Sequence, residues 1–105
     1  MLKSDSAPVE GSARPFLKFA LGDVVATPGA IAAMNNLGVF PYALLIRHQS
    51  GDWGSLPVED ALLNDQALLS AGRLFSSYPI GGNVRIWIIT EHDRSVTTLL
   101  LPSEY

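Results

Sequence analysis

The 105-residue sequence contains no cysteine, which rules out disulfides, thiolate metal sites and cysteine nucleophiles and suits a reducing compartment. Basic residues are also scarce. Lysine and arginine number 7 against 10 acidic residues, for a net charge of −3 at pH 7, and two of the seven, Lys3 and Arg14, fall in a tail-like N-terminus. Nucleic-acid binders present a dense cationic surface, so the charge balance does not favour that class. No apolar run approaches the roughly 20 residues that span a bilayer. The opening MLKSDSAPVEGSARP lacks the apolar stretch of a secretory signal. A cytoplasmic protein without membrane contact is the expectation.

With 48% hydrophobic and 16% charged residues, the chain has the composition of one globular domain with a modest core. Residues 1–15, rich in Ser, Pro, Gly and Ala without periodicity, read as a flexible N-terminal extension. Residues 16–105 read as a single α+β domain.

Phe16 to Ala26 (FLKFALGDVVA) mixes aromatic and β-branched residues and predicts a strand with a turn or bulge at Gly22-Asp23. Thr27-Pro28 then supplies an N-cap and a first-turn proline for a helix over 28–36, closed by Asn35, Asn36 and Gly38. Pro41 opens the stretch YALLIRHQ, which suits a helix closed by Ser50-Gly51 and a buried strand almost equally, because a continuous apolar run does not declare its period. After Pro57, VEDALLNDQALLSA predicts a third helix stopped by Gly72. On a helical wheel Val58, Ala61, Leu62, Leu68 and Leu69 share an arc, but Asp65 falls within it. A buried carboxylate is costly, so the pattern predicts a break there, with Asn64 or Asp65 capping a second short segment.

The last third reads as three strands: RLFSSYPI, NVRIWIIT and VTTLLLP, joined by IGGN and EHDRS. Gly81-Gly82 offers the positive φ of a tight hairpin and Asp93 favours the second turn. The predicted order is β-α-α-α-β-β-β, with a C-terminal three-stranded antiparallel meander packed against helices.

Chemistry concentrates in a few residues. His48 lies three and four residues after Leu45 and Leu44 and is followed by Gly51-Asp52-Trp53-Gly54. It could serve as a general base oriented by Asp52, or simply complete a helix end, where a cation suits the dipole. Asp52 could equally pair with Arg47. His92, in the turn EHDRS, reads as solvated. Neither histidine has the i, i+4 partner of a helical zinc motif, so no metal site and no cofactor are expected. Arg73, Arg85 and Arg94 lie in or beside the meander with Ser76, Ser77, Thr90, Thr97 and Thr98. On one face they would make a phosphate or carboxylate site; otherwise they are ordinary strand and edge residues.

In RHQSGDWG, Asn64, GRLFSSY and WIITEHDRSVTTLLLPSEY, the chain resembles a family of small "plasmid-related" proteins of plasmids and integrative conjugative elements. The similarity runs from about Phe19 to the C-terminus, with the pattern RHxxGDWG … ITExDRSxTTLLLPxxY. The resemblance implies a mobile-element setting and assigns no reaction. Arg47, His48, Asp52, Trp53, Arg94, Thr97 and Thr98 lie on its pattern, and His92 occupies a free position.

Two functional expectations follow, with a third for assembly. The first is an accessory protein that binds a protein partner or small ligand through Arg47, His48, Asp52, Trp53, Arg94 and Thr98, since Trp and Arg are favoured at binding hot spots. The second takes its layout from the RelE and barnase-like ribonucleases, which the order of helices before a meander resembles. There His48 would act as acid/base, Arg73 and Arg94 would stabilise a phosphate, and Thr97 or Thr98 would position it without a metal. The third is a homodimer formed along the exposed edge of the meander.

Overall fold

The computed structural model describes residues 17–105; the extension expected over 1–15 lies outside them. Among the described residues, four strands and three helices follow in the order β1 (Asp23–Ala26), α1 (Pro28–Leu37), α2 (Pro41–Gln49), α3 (Val58–Ser70), β2 (Leu74–Gly81), β3 (Val84–Thr90) and β4 (Val96–Leu100), before a 3₁₀ turn, Pro102–Glu104. This is the α+β class with C-terminal strands that the sequence predicts.

The meander forms as expected, β2 against β3 and β3 against β4, both antiparallel. The sheet also takes in β1, which lies parallel to β4 with Asp23 opposite Val96 and Ala26 opposite Leu99. The spatial order is therefore β1-β4-β3-β2. Of the strand predicted over 16–26, the last four residues are the ones that pair among the described residues. Gly22 sets the start: its φ of +66° is unfavourable for other residues, and an added Cβ would meet the Ser95 carbonyl oxygen at 2.3 Å.

Helix α1 begins as its residues dictate, with the Thr27 hydroxyl accepting from the Ala30 N–H at 3.2 Å and Pro28 in the first turn. The stretch YALLIRHQ is helical, which settles the ambiguity between helix and strand. Pro41 starts it, and Arg47 and His48 occupy its last turn.

Helix α3 corrects two expectations. It runs unbroken from Val58 to Ser70, so neither Asn64 nor Asp65 caps a second segment. Its inward face matches the predicted arc only in Ala61 and Leu68, which pack against the Trp53–Ala67–Leu74 cluster, while Val58, Leu62 and Leu69 are 74%, 55% and 92% exposed. Buried instead are Asn64 and Ala67. The reason is the neighbouring strand. Asn64 donates from Nδ2 to the Phe75 carbonyl at 2.6 Å and accepts from the Phe75 N–H at 3.0 Å. A buried amide that satisfies two backbone groups outweighs apolar periodicity.

The helices cover one sheet face. Its core gathers Ala30, Met34, Leu44 and Leu45 from the first two helices against Tyr78, Ile86, Ile88 and Leu99. A second cluster joins Trp53, Ala67 and Leu74, with Phe19 packed against it. The alternate residues, Phe75, Ser77, Arg85, Trp87, Ile89 and Thr98, belong to the opposite face. No single helix among the described residues is long and apolar enough to cross a membrane.

Candidate functional site

The residues of RHQSGDWG form a packed corner. Arg47 Nε donates to Asp52 Oδ2 at 2.6 Å, and its guanidinium lies 4.5 Å from the centre of the Tyr78 ring. This bond to Arg47 holds the Asp52 carboxyl below the usual carboxylate range. Asp52 Oδ1 accepts from the Gly54 N–H, and the Asp52 carbonyl accepts the Tyr78 hydroxyl at 2.6 Å. Burial pushes the Tyr78 phenol up to about 12, so it remains a donor.

Trp53 is buried, and its indole N–H donates to Asp65 Oδ1 at 3.1 Å. The loop backbone then completes edge strand β2: the Ser77 N–H donates to the Trp53 carbonyl at 3.1 Å, and the Ser55 N–H to the Ser77 carbonyl at 2.8 Å. With the Asn64 clamp one turn of the pleat away, this part of the edge is already occupied. Little of it remains for the homodimer contact expected there. Gly54 must be glycine, because φ is +77° and a Cβ would stand 2.0 Å from the Ser77 oxygen.

His48 has 0% exposure. The Phe19 and Trp53 rings meet it edge-on at 5.1 and 5.8 Å. Its Nδ1 lies 2.6 Å from Ser76 Oγ and its Nε2 lies 2.9 Å from Thr90 Oγ1. The chain continues from Thr90 to Thr97 at 2.7 Å, and Thr97 donates to the Leu21 carbonyl at 2.7 Å. Each hydroxyl has one proton. Thr97 gives its proton to Leu21, so Thr90 donates to Thr97 and accepts from an Nε2–H, while Ser76 donates to Nδ1. The network therefore selects the neutral Nε2–H tautomer. Burial, followed by the nearby Arg94 charge, lowers the imidazole pKa to about 3.

Arg94 is also used internally. From a backbone at φ +61°, its guanidinium donates to the carbonyls of Gly72, Glu91 and His92 at 2.6, 3.0 and 3.2 Å, and to that of Ala67 at 3.0 Å. It joins the β3–β4 turn to the C-terminal end of α3, where a cation suits the helix dipole. Arg73 follows Gly72 in the chain, but its side chain engages other groups, with Nε 3.4 Å from Glu91 Oε1 and Nη1 3.5 Å from the Tyr105 hydroxyl.

Of the sequence-derived site residues, Arg47, His48, Asp52, Trp53 and Arg94 do gather around one corner, and Thr97 joins through Thr90. That corner is packed rather than open. Arg73 and Thr98 lie elsewhere, and Thr98 faces away from the core. His48, Arg73, Arg94 and Thr97 do not converge on an accessible cleft, so the geometry does not support the ribonuclease arrangement. Among the described residues no three His, Asp or Glu side chains gather as a metal site.

Two accessible clefts lie on the open sheet face, and a third, of about 310 Å³, lies between the β2–β3 turn and the C-terminal 3₁₀ turn, with Arg85 in its lining. One, of about 270 Å³, is lined by Arg73, Phe75, Trp87, Ile89 and Tyr105. A second, of about 280 Å³, lies on the other side of the Phe75–Trp87 pair and includes Ser55, Asp60, Ser77 and Arg85. Phe75 and Trp87 meet edge-to-face at 4.9 Å, and Tyr105 approaches Trp87 at 5.9 Å. Sequence reasoning named Arg73 and Arg85 but missed Phe75, Trp87 and Tyr105. The period-two alternation of LFSSYPI and VRIWIIT carries the signal, placing Phe75 with Ser77, and Arg85 with Trp87 and Ile89. Comparisons with protein-family models, curated proteins and solved structures give no match for this chain.

Proposed function

We propose that this protein is a small binding module that takes a small ligand on the open face of its sheet, and that it works as a cytoplasmic accessory protein of a mobile element. The resemblance of its RHxxGDWG and ITExDRS patterns to plasmid-related proteins supports the setting. One observation carries the binding role: three aromatic side chains, Phe75, Trp87 and Tyr105, stand together on the sheet face opposite α1 and α2, flanked by Arg73 and Arg85. Apolar concavities with a few placed polar groups are what ligand sites look like. The motif corner plays the supporting part, fixing the edge of the strand that carries Phe75 and Ser77.

The test is a two-dimensional NMR screen of the full chain against mixtures of small aromatic, aliphatic and charged compounds. The reading expects shift changes at Phe75, Ser77, Trp87 and Ile89. Hits that map to Arg47, Asp52 and Trp53, leaving the open face unmoved, would return the site to the motif corner.

A further inference from the structure

The two clefts beside the Phe75–Trp87 pair differ in their arginines. Arg73 has Glu91 beside it, 3.4 Å away, and Tyr105 at 3.5 Å. Arg85 has no carboxylate within 4.0 Å among the described residues. Its Nη1 instead donates to two hydroxyls, Ser55 Oγ at 2.6 Å and Ser77 Oγ at 3.4 Å. The remaining arginines of the described chain are engaged, Arg47 with Asp52 and Arg94 with four carbonyls. Arg85 is thus a guanidinium with most of its five donors uncommitted, next to two serines and on the rim of an aromatic-walled cleft.

The wall is set by register. Ser77 stands directly opposite Trp87 across the β2–β3 pair, so the hydroxyl that touches Arg85 also adjoins the indole. Phase is fixed as well, because the Phe75 ring meets Trp87 at 90° and 4.9 Å and holds the indole in place. The volume of about 280 Å³ falls just below the range of roughly 300–1,000 Å³ for sites of drug-sized ligands. That admits one ring system with its substituent. Asp60 lines the same cleft and repels a second negative charge, which matches an occupant with its anion at one end.

We propose that this cleft binds a planar aromatic ring bearing one anionic group, carboxylate or phosphate, with the ring against Trp87 and Phe75 and the anion on Arg85 and the Ser77 hydroxyl. The proposal rests on the open-face reading above and specifies its ligand. Recognition divides between ring stacking on the aromatic wall and charge-assisted hydrogen bonds that Arg85 is placed to donate.

Titration of the full chain, followed by two-dimensional NMR, tests it with five probes. These are 2-naphthoate, its neutral amide, cyclohexanecarboxylate, adenosine 5′-monophosphate and a single-stranded deoxyadenosine decamer. The expected result is that 2-naphthoate or the nucleotide binds at least ten-fold more tightly than both the amide and cyclohexanecarboxylate, with shifts at Ser55, Ser77 and the Trp87 indole. Whichever of the two binds better identifies the anion as carboxylate or phosphate. Arg85→Gln, a change at an exposed side chain, brings the anionic probe down to the level of the amide and leaves the amide unchanged. Asp60→Asn tightens the anionic probe several-fold. Equal affinity for acid and amide would overturn the anion assignment while leaving the open face as the binding surface. A ten-fold preference for the decamer over the mononucleotide would replace the small ligand with a nucleic-acid strand. If no probe moves the open face, both this assignment and the reading beneath it fall.

Discussion

The helix-covered face of the sheet and its open face are built from alternate residues of the same strands, yet they treat polar groups in opposite ways. On the covered face Ser76, Thr90, Thr97 and His48 are sealed, and each hydrogen bond is consumed by a neighbour. On the open face Arg85 and Arg73 border clefts among aromatic rings. The lesson concerns histidine in particular. Its presence beside an Asp, a Trp and two glycines invites a catalytic reading, but a closed chain of hydroxyls holds it neutral and out of reach. Solvent access, rather than residue type, separates a structural polar network from a site.

The sharpest way to break this contrast is at the corner that supports it. Gly54→Ala places a Cβ against the Ser77 carbonyl at a positive φ, and we expect a loss of about 4 kcal/mol or more, read by chemical denaturation. A cost under about 1 kcal/mol would mean that the loop is not locked to β2.

The two tryptophans give a direct comparison. Trp53→Leu removes a buried indole and its bond to Asp65 and should cost about 3 kcal/mol. Trp87→Leu, on the open face, should cost about 1 kcal/mol or less while removing ligand-induced NMR shifts. Equal losses of stability would show that the open face is core as well.

Acid should sharpen the comparison through His48. Its folded pKa, about 3, lies below the ordinary 6.5, so between these values the unfolded chain binds a proton that the folded chain refuses. The stability contributed is therefore present above pH 6.5 and lost as pH falls toward 3, with a slope approaching 1.4 kcal/mol per pH unit. Denaturation midpoints measured from pH 7 to pH 4 should show this slope, and His48→Gln should flatten it. An unchanged slope in the variant would assign the acid response to the carboxylates. The smallest effect belongs to Arg47→Ala. The Arg47–Asp52 pair is about half exposed, so its loss should cost about 0.5 kcal/mol, diminishing further in salt.

Much of the fold is legible in local chemistry. Thr27-Pro28, Pro41 and Gly81-Gly82 mark element ends because capping and turn geometry act within a few residues. The meander follows from alternation. What escapes is non-local. Asn64 looks like a cap or a break within its helix, and only the Phe75 backbone explains why it is buried. The same holds for Arg94, whose partners lie up to 27 positions away. The candidate site was half visible. Arg73 and Arg85 stand out as rare charges, whereas Phe75 and Trp87 look like core until one knows that the helices cover only one face.

The pairing of β1 with β4 has a consequence for biosynthesis. Asp23 and Val96 are partners, a separation of 96 − 23 = 73 positions. Glu104 then ties the two ends more closely, accepting from the Thr27 hydroxyl and from the Gly29 N–H. At elongation rates of about 5–20 residues per second, the ribosome takes roughly 4–15 seconds to supply the partner of β1. Throughout that interval the valines of β1 wait in the nascent chain, and the fold closes only when its last strand emerges.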